Sequence, residues 1–287
     1  VNPCIKTAMK ASPHTFDSLL SDKLTTDMLP NFIYGSYIGL AVTVFGLVPT
    51  ITAMFGKSIL PSLAESCAKN DKKAMQSGLT KMLIVTSIIA IPAGMGIAVL
   101  SEPILRFLFG GRETEIQVCI MPMSILGIAV IFLAIATPCF SILQTLGKPH
   151  KAIIIMLAGG IIKLFLNIIL IRQPIINISG AAISTLVSEV FICVLSVRSV
   201  CKMTDLKPKV SEIFVKPTYA AIMCGVTAVL SHETLTKIAH LQINHRFVTL
   251  FSIGIGSTMY FFCLYLLCET PKNIVNYIFS KKNPQNP

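Results

Sequence analysis

The sequence predicts an all-α membrane protein with about seven spanning helices. Three observations carry this reading. Hydrophobic residues make up 53% of the 287-residue chain and charged residues only 13%. Mean hydropathy is +0.75. The charges gather in short stretches between long uncharged runs. A soluble domain carries about 25% charged residues, so this chain has too few charges to coat a water-facing surface. Roughly 20 apolar helical residues cross about 30 Å of hydrocarbon. Helix is the natural state there, because lipid offers no partner to a free peptide group.

Taken in order, residues 1–33 are polar and read as an external segment. No basic stretch followed by an apolar core opens the chain, so no signal peptide is expected. The start at Val1 reads as cut from something longer. Apolar runs then fall near 34–55, 82–100, 118–143, 152–171, 178–197, 219–230 and 247–268, together a transmembrane lobe over 34–270. The sixth core is short, bracketed by Lys216 and His232, and needs its flanks to span. Residues 58–81 place Ile59, Leu60, Leu63, Ala64 and Cys67 against Lys69, Lys72 and Lys73. That spacing predicts one amphipathic helix lying along the interface. Residues 271–287 read as a cytoplasmic basic tail.

The net charge of +11 would suggest nucleic acid in a soluble protein. Here the basic residues sit in loops, no aromatic-basic platform accompanies them, and no nucleic-acid partner is expected. With residues 1–33 outside, fifteen of the 24 lysines and arginines fall on the cytoplasmic side and eight outside, with Lys163 inside a span. Basic residues favour the cytoplasmic side, so the amino end is expected outside and the carboxyl end inside the cell membrane.

Enzyme signatures are missing. All five histidines lie outside the apolar cores, and no span carries paired aspartates or a Ser/His arrangement. No phosphate-cradling glycine loop is present. Nine cysteines include no CxxC pair, and Cys139, Cys193, Cys224 and Cys263 sit in apolar runs. Buried cysteine behaves as a small hydrophobe, so neither a disulfide framework nor a zinc site is expected. No catalysis and no cofactor are expected. An ion gradient or the substrate's own gradient would supply the energy for any transport.

Several stretches together are characteristic: 34–42 (YGSYIGLAV) continuing to 47–49 (LVP), 91–104 (IPAGMGIAVLSEPI), 125–133 (ILGIAVIFL), 141–148 (SILQTLGK), 162–167 (IKLFLN) and 176–183 (INISGAAI). In order and spacing they resemble the stage V sporulation protein B group of polysaccharide-biosynthesis flippases, part of the multidrug/oligosaccharidyl-lipid/polysaccharide exporter superfamily. The resemblance covers roughly residues 30–205. It implies one lobe of a two-lobe, fourteen-helix fold around a central cavity, with these seven helices as the second lobe. It implies an external loop before that lobe, in agreement with the charge count. It also implies an amino-terminal seven-helix lobe as partner and a lipid-linked oligosaccharide or peptidoglycan precursor as substrate, for cell-wall, spore-cortex or polysaccharide synthesis. Two other readings stay open: a cation-coupled multidrug exporter, and a non-transporting scaffold for envelope assembly.

The candidate site begins with Lys163, roughly 12 Å from the external end of its span. A charge at that depth is costly unless it faces protein or water. Asn167, four residues on, shares its helical face. Glu189 lies at similar depth in the next span. An internal ion pair and a cavity-facing substrate or ion site both fit these residues. Gln144, near the cytoplasmic end of the third span, can hydrogen-bond a sugar or phosphate, or serve as an ordinary helix-end amide. Arg106 and Arg112, beside Gly110-Gly111, can bind phosphate bidentately or stay solvated. Pro49, Pro92, Pro122 and Pro138 inside spans are candidate kinks, and Gly35 with Gly39 is a weak packing signal.

Overall fold

The computed structural model describes residues 2–11, 28–69, 71–173, 176–205, 211–238 and 245–267. A short helix α1 (Asn2–Ala11) precedes the first span. That span is composite: α2 (Leu29–Ser36), a π-helical stretch (Tyr37–Val42), α3 (Thr43–Phe45) and α4 (Leu47–Ala68). Then come α5 (Lys72–Val99), α6 (Ser101–Phe109), α7 (Glu113–Thr145), α8 (Pro149–Leu170), α9 (Ser179–Thr204), α10 (Lys216–Ile238, entered through a π turn at Ser211–Val215) and α11 (His245–Leu267). Among the described residues seven segments are long and apolar enough to cross a membrane, in the seven places where the hydropathy runs fall. The described residues contain no strand.

Helix α7 is the hub. It packs most extensively on α9, and then on α5 and α4. Its approach to α5 is made possible by two glycines. A Cβ on Gly127 would lie 2.5 Å from the Ala98 nitrogen, and one on Gly94 would lie 2.6 Å from the Gly127 carbonyl oxygen. Small residues let backbones meet in lipid, where no hydrophobic force drives helices together. The Ser124 hydroxyl secures the same crossing by donating to the Ala98 carbonyl at 2.7 Å.

Two apolar cores sit at opposite ends of the bundle. One joins Ile5, Leu29, Ile33, Ile116, Met123 and Ile178. The other joins Leu63, Leu79, Met82, Ile142, Ile155 and Val200. The turn between α7 and α8 belongs to the second end. Gly147 adopts φ 72 there, and the Lys148 N–H returns to the Leu143 carbonyl at 3.0 Å. A left-handed residue closing a helix in this way is best filled by glycine.

Two expectations need correction. Residues 1–33 are not only a polar segment: Ile5 is fully buried against Leu29 and Ile33, and the first span already begins at Leu29. Residues 58–81 are not one interfacial helix. They are the end of α4 and the start of α5, and the Asp71 side chain caps α5 by accepting from the Ala74 N–H at 3.0 Å. Their apolar face is covered by protein, since Leu63 packs with Leu79, Met82 and Leu83. Pro49 lies inside the first span as expected, in the first turn of α4. Its ring and missing N–H account for the break at Gly46, because they disrupt the bond to the Phe45 carbonyl. Pro92, Pro122 and Pro138 are interior as expected, and Pro61 joins them.

Candidate functional site: a polar seam and an open wall

Helices α8 and α9 meet along a polar seam. Gly159 permits the contact: a Cβ there would lie 2.4 Å from the Ile192 side chain. The Ser188 hydroxyl donates to the Gly159 carbonyl at 2.9 Å. One turn of α9 away, the Ser184 hydroxyl donates to the Asn167 side-chain oxygen. Lys163 lies between Gly159 and Asn167 along α8 and is half-buried. Glu189 follows Ser188 and is only 8% exposed. Its Oε2 has no hydrogen-bond partner among the described residues.

The structure therefore brings Lys163, Asn167 and Glu189 to one seam. It does not join Lys163 and Glu189 in a direct ion pair. Ion pairs among the described residues lie elsewhere, at Lys69–Glu65, at Lys72–Asp205, and at Arg106 with both Glu102 and Glu113. Gln144 is separate: it is exposed in the last turn of α7, at the end where α8 begins. Lys163 lies roughly 21 Å further along α8 from that end. Arg106 belongs to α6, held by Glu102 at 3.0 Å and Glu113 at 2.6 Å, so it is not a free phosphate clamp. Arg112 is exposed at the start of α7.

The sequence reading missed the outer face of the first span. Tyr34, Gly35, Gly39, Thr43, Gly46 and Thr50 are all exposed. A Cβ on Gly35 or on Gly39 would meet nothing within 4 Å, so both glycines pack on nothing among the described residues. The hydroxyls of Thr43 and Thr50 return to the Gly39 and Gly46 carbonyls at 2.9 and 2.8 Å. The outer face of α8 is the contrast. Ile153, Leu157, Ile161, Leu164 and Phe165 are each more than half exposed and wholly apolar, as a lipid-facing surface requires. The signal for the first span was available as small and polar residues recurring every three or four positions.

Two of the cavities around α10 and α11 lie between helices. One, of about 660 Å³, is polar at its rim with Glu102, Arg106, His232 and Glu233. The other, of about 570 Å³, is apolar and lined by Ile88, Pro92, Cys224, Gly256 and Tyr260 among others. Among the described residues no group of His, Cys, Asp and Glu has the clustering a metal ion needs, and the eight described cysteines are all free.

With this geometry in view, the comparison with known families is decisive. Residues 34–248 match the family model described as lipid II flippase MurJ. The chain belongs to this family. It is similar to a probable low-salt glycan biosynthesis flippase of Haloferax volcanii, 27% identical over 199 residues, which covers 68% of this chain and 41% of the relative. It is similar to the lipid II flippase MurJ of Bacillus subtilis, 20% identical over 225 residues, 76% of this chain and 40% of the relative. It is also similar to stage V sporulation protein B of Bacillus subtilis, 21% identical over 197 residues, 67% and 36%. The chain thus spans less than half the length of these relatives. Membership in the flippase family identifies a multi-pass membrane protein of a transporter family, in keeping with the seven apolar spans.

Proposed function

We propose that this chain is one lobe of a flippase for lipid-linked saccharides, working with an amino-terminal lobe that supplies the other wall of a central path. The relatives named for lipid II and glycan biosynthesis support the substrate class. The observation that carries the two-lobe reading is the open first span. A face of glycine, threonine and tyrosine suits close approach by a second lobe and contact with a hydrated headgroup. The apolar face of α8 suits lipid alone. In this reading Gln144 meets the headgroup near the cytoplasmic mouth. Lys163, Asn167 and Glu189 form a polar seam behind the wall, where a change of charge or hydration alters how α8 sits on α9. The amino end is external and the carboxyl end cytoplasmic, supported by the surplus of unpaired cations at the α4–α5 end. Ion coupling, where it operates, acts through this seam.

The test is flipping of a labelled lipid-linked oligosaccharide in liposomes, by the chain alone and with a matching first lobe. The chain alone is expected to insert and move nothing, and the pair to restore transport. Gly39→Leu should leave the isolated lobe folded but abolish transport by the pair. Robust flipping by the chain alone, with crosslinking that excludes a homodimer, overturns the two-lobe reading. Full activity of the Gly39→Leu pair removes the first span from the path.

A further inference from the structure

We propose that the end of the lobe formed by the α4–α5 turn, the α7–α8 turn and the last turns of α9 is a docking surface for the phosphodiester headgroups of anionic membrane lipids. The first observation is reach. The uncharged part of α5, residues 82–99, is about 27 Å long and already fills the hydrocarbon. The first turns of α5, from Lys72 onward, therefore stand at and beyond the headgroups.

The second observation is how the acids at this end are used. Asp71 caps α5. Asp205 holds Lys72 at 3.1 Å, and Glu65 holds Lys69 at 2.6 Å. Six cations are left with no ion-pair partner among the described residues: Lys57, Lys73, Lys148, Lys151, Arg198 and Lys202. Lys57, Lys73, Lys148, Arg198 and Lys202 are exposed, and Lys151 is half-buried. Arg198 and Lys202 stand one turn apart on α9.

The third observation is that this end is held as one surface. The Gln76 amide donates to the carbonyls of Thr204 and Asp205 at 3.0 and 3.2 Å, tying the start of α5 to the end of α9. The core of Leu63, Leu79, Ile142 and Val200 lies directly beneath. The opposite end is different: Arg106 is shared by two glutamates, and Glu115 and Glu233 add further negative charge.

The arrangement selects lipid over a soluble anion. Lys73, Lys148, Lys151, Arg198 and Lys202 stand near helix ends, and Lys57 lies further along α4; both cavities described above lie elsewhere. A set of separate charges suits many headgroups carrying one phosphate each. A single polyvalent anion needs convergent donors. Basic residues near a bilayer surface attract anionic lipid, and the attraction is screened by salt. This inference does not depend on which substrate the lobe helps to move.

The experiment uses the whole chain reconstituted in mixed vesicles with spin-labelled phosphatidylglycerol or phosphatidylcholine. At low salt the protein-associated fraction of phosphatidylglycerol is expected to exceed that of phosphatidylcholine by about two-fold or more. The preference should fall towards parity in 1 M sodium chloride. It should also fall when the six cations are changed to glutamine, and in part with Lys73→Gln and Lys202→Gln alone. Arg112→Gln with Arg172→Gln, at the opposite end, should leave it intact. Equal association of the two lipids with the wild-type chain overturns the proposal, as does a preference that survives the six changes. Loss of the preference on adding pyrophosphate at constant ionic strength would reassign the surface to soluble polyphosphate.

Discussion

Pro92 has no N–H to offer the Ile88 carbonyl one turn back, and the Tyr260 hydroxyl on α11 supplies a donor at 2.9 Å. Helix α5 is thereby stapled to the last span at the carbonyl that the proline leaves without its helical donor. Tyr260→Phe should leave that carbonyl unsatisfied and lower stability by about 1 kcal/mol, measured as the unfolding midpoint in detergent; an unchanged midpoint would deny the bond a structural role. Glu189 presents the opposite situation, a buried carboxylate whose Oε2 has no partner among the described residues. Removing a buried charge that no direct pair compensates is expected to stabilise. Glu189→Gln should therefore raise the midpoint, and its double-mutant cycle with Lys163→Met should show coupling below about 1 kcal/mol. A larger coupling would mean that the pair closes in the membrane. Lys163, Asn167 and Glu189 were legible in the sequence because polar groups stand out in hydrocarbon. Their failure to pair was not, because depth along a helix says nothing about which way a side chain turns around it.

At the scale of elements, the glycines divide into two kinds that sequence spacing cannot separate. Gly94 and Gly127 hold α5 against α7, and Gly35 and Gly39 face nothing among the described residues. Gly127→Ala should force backbone apart and cost about 1–3 kcal/mol, whereas Gly39→Ala should leave the lobe's midpoint unchanged or raised, since alanine is the better helix former. Equal losses at the two sites would contradict this division. The 58–81 segment shows a second limit. Its alternation of apolar and basic residues is genuine, but amphipathicity reports only that one face is covered. Protein covers it here, because Asp71 starts a new helix that folds back on α4. Asp71→Ala should cost roughly 1 kcal/mol and loosen this turn, seen as faster amide exchange over residues 72–76.

For the whole molecule, orientation is the prediction that matters most. Ser77 and Thr114 are both exposed and make none of the ties described above. In a variant whose native cysteines are replaced, Thr114→Cys should react with a membrane-impermeant thiol reagent on intact cells and Ser77→Cys should not. Labelling of position 77 alone would invert the lobe and move the basic rim to the outer surface.

Seven spans, an all-helical fold and membership of a flippase family could be read from the sequence alone. The reason is that hydrocarbon imposes length, apolarity and backbone satisfaction one segment at a time, so each span declares itself without its neighbours. The position of Lys163, Asn167 and Glu189 near one another followed from the same rule of depth. Rotation about the helix axis belongs to the tertiary structure. Only packing decided that α7 is the hub, that Gly127 is filled and Gly39 is open, that Ile5 returns to the core, and that Gln144 stands apart from the seam. Lipid is as apolar as leucine, so composition does not distinguish a face that meets protein from one that meets the bilayer; close contact between named surfaces does.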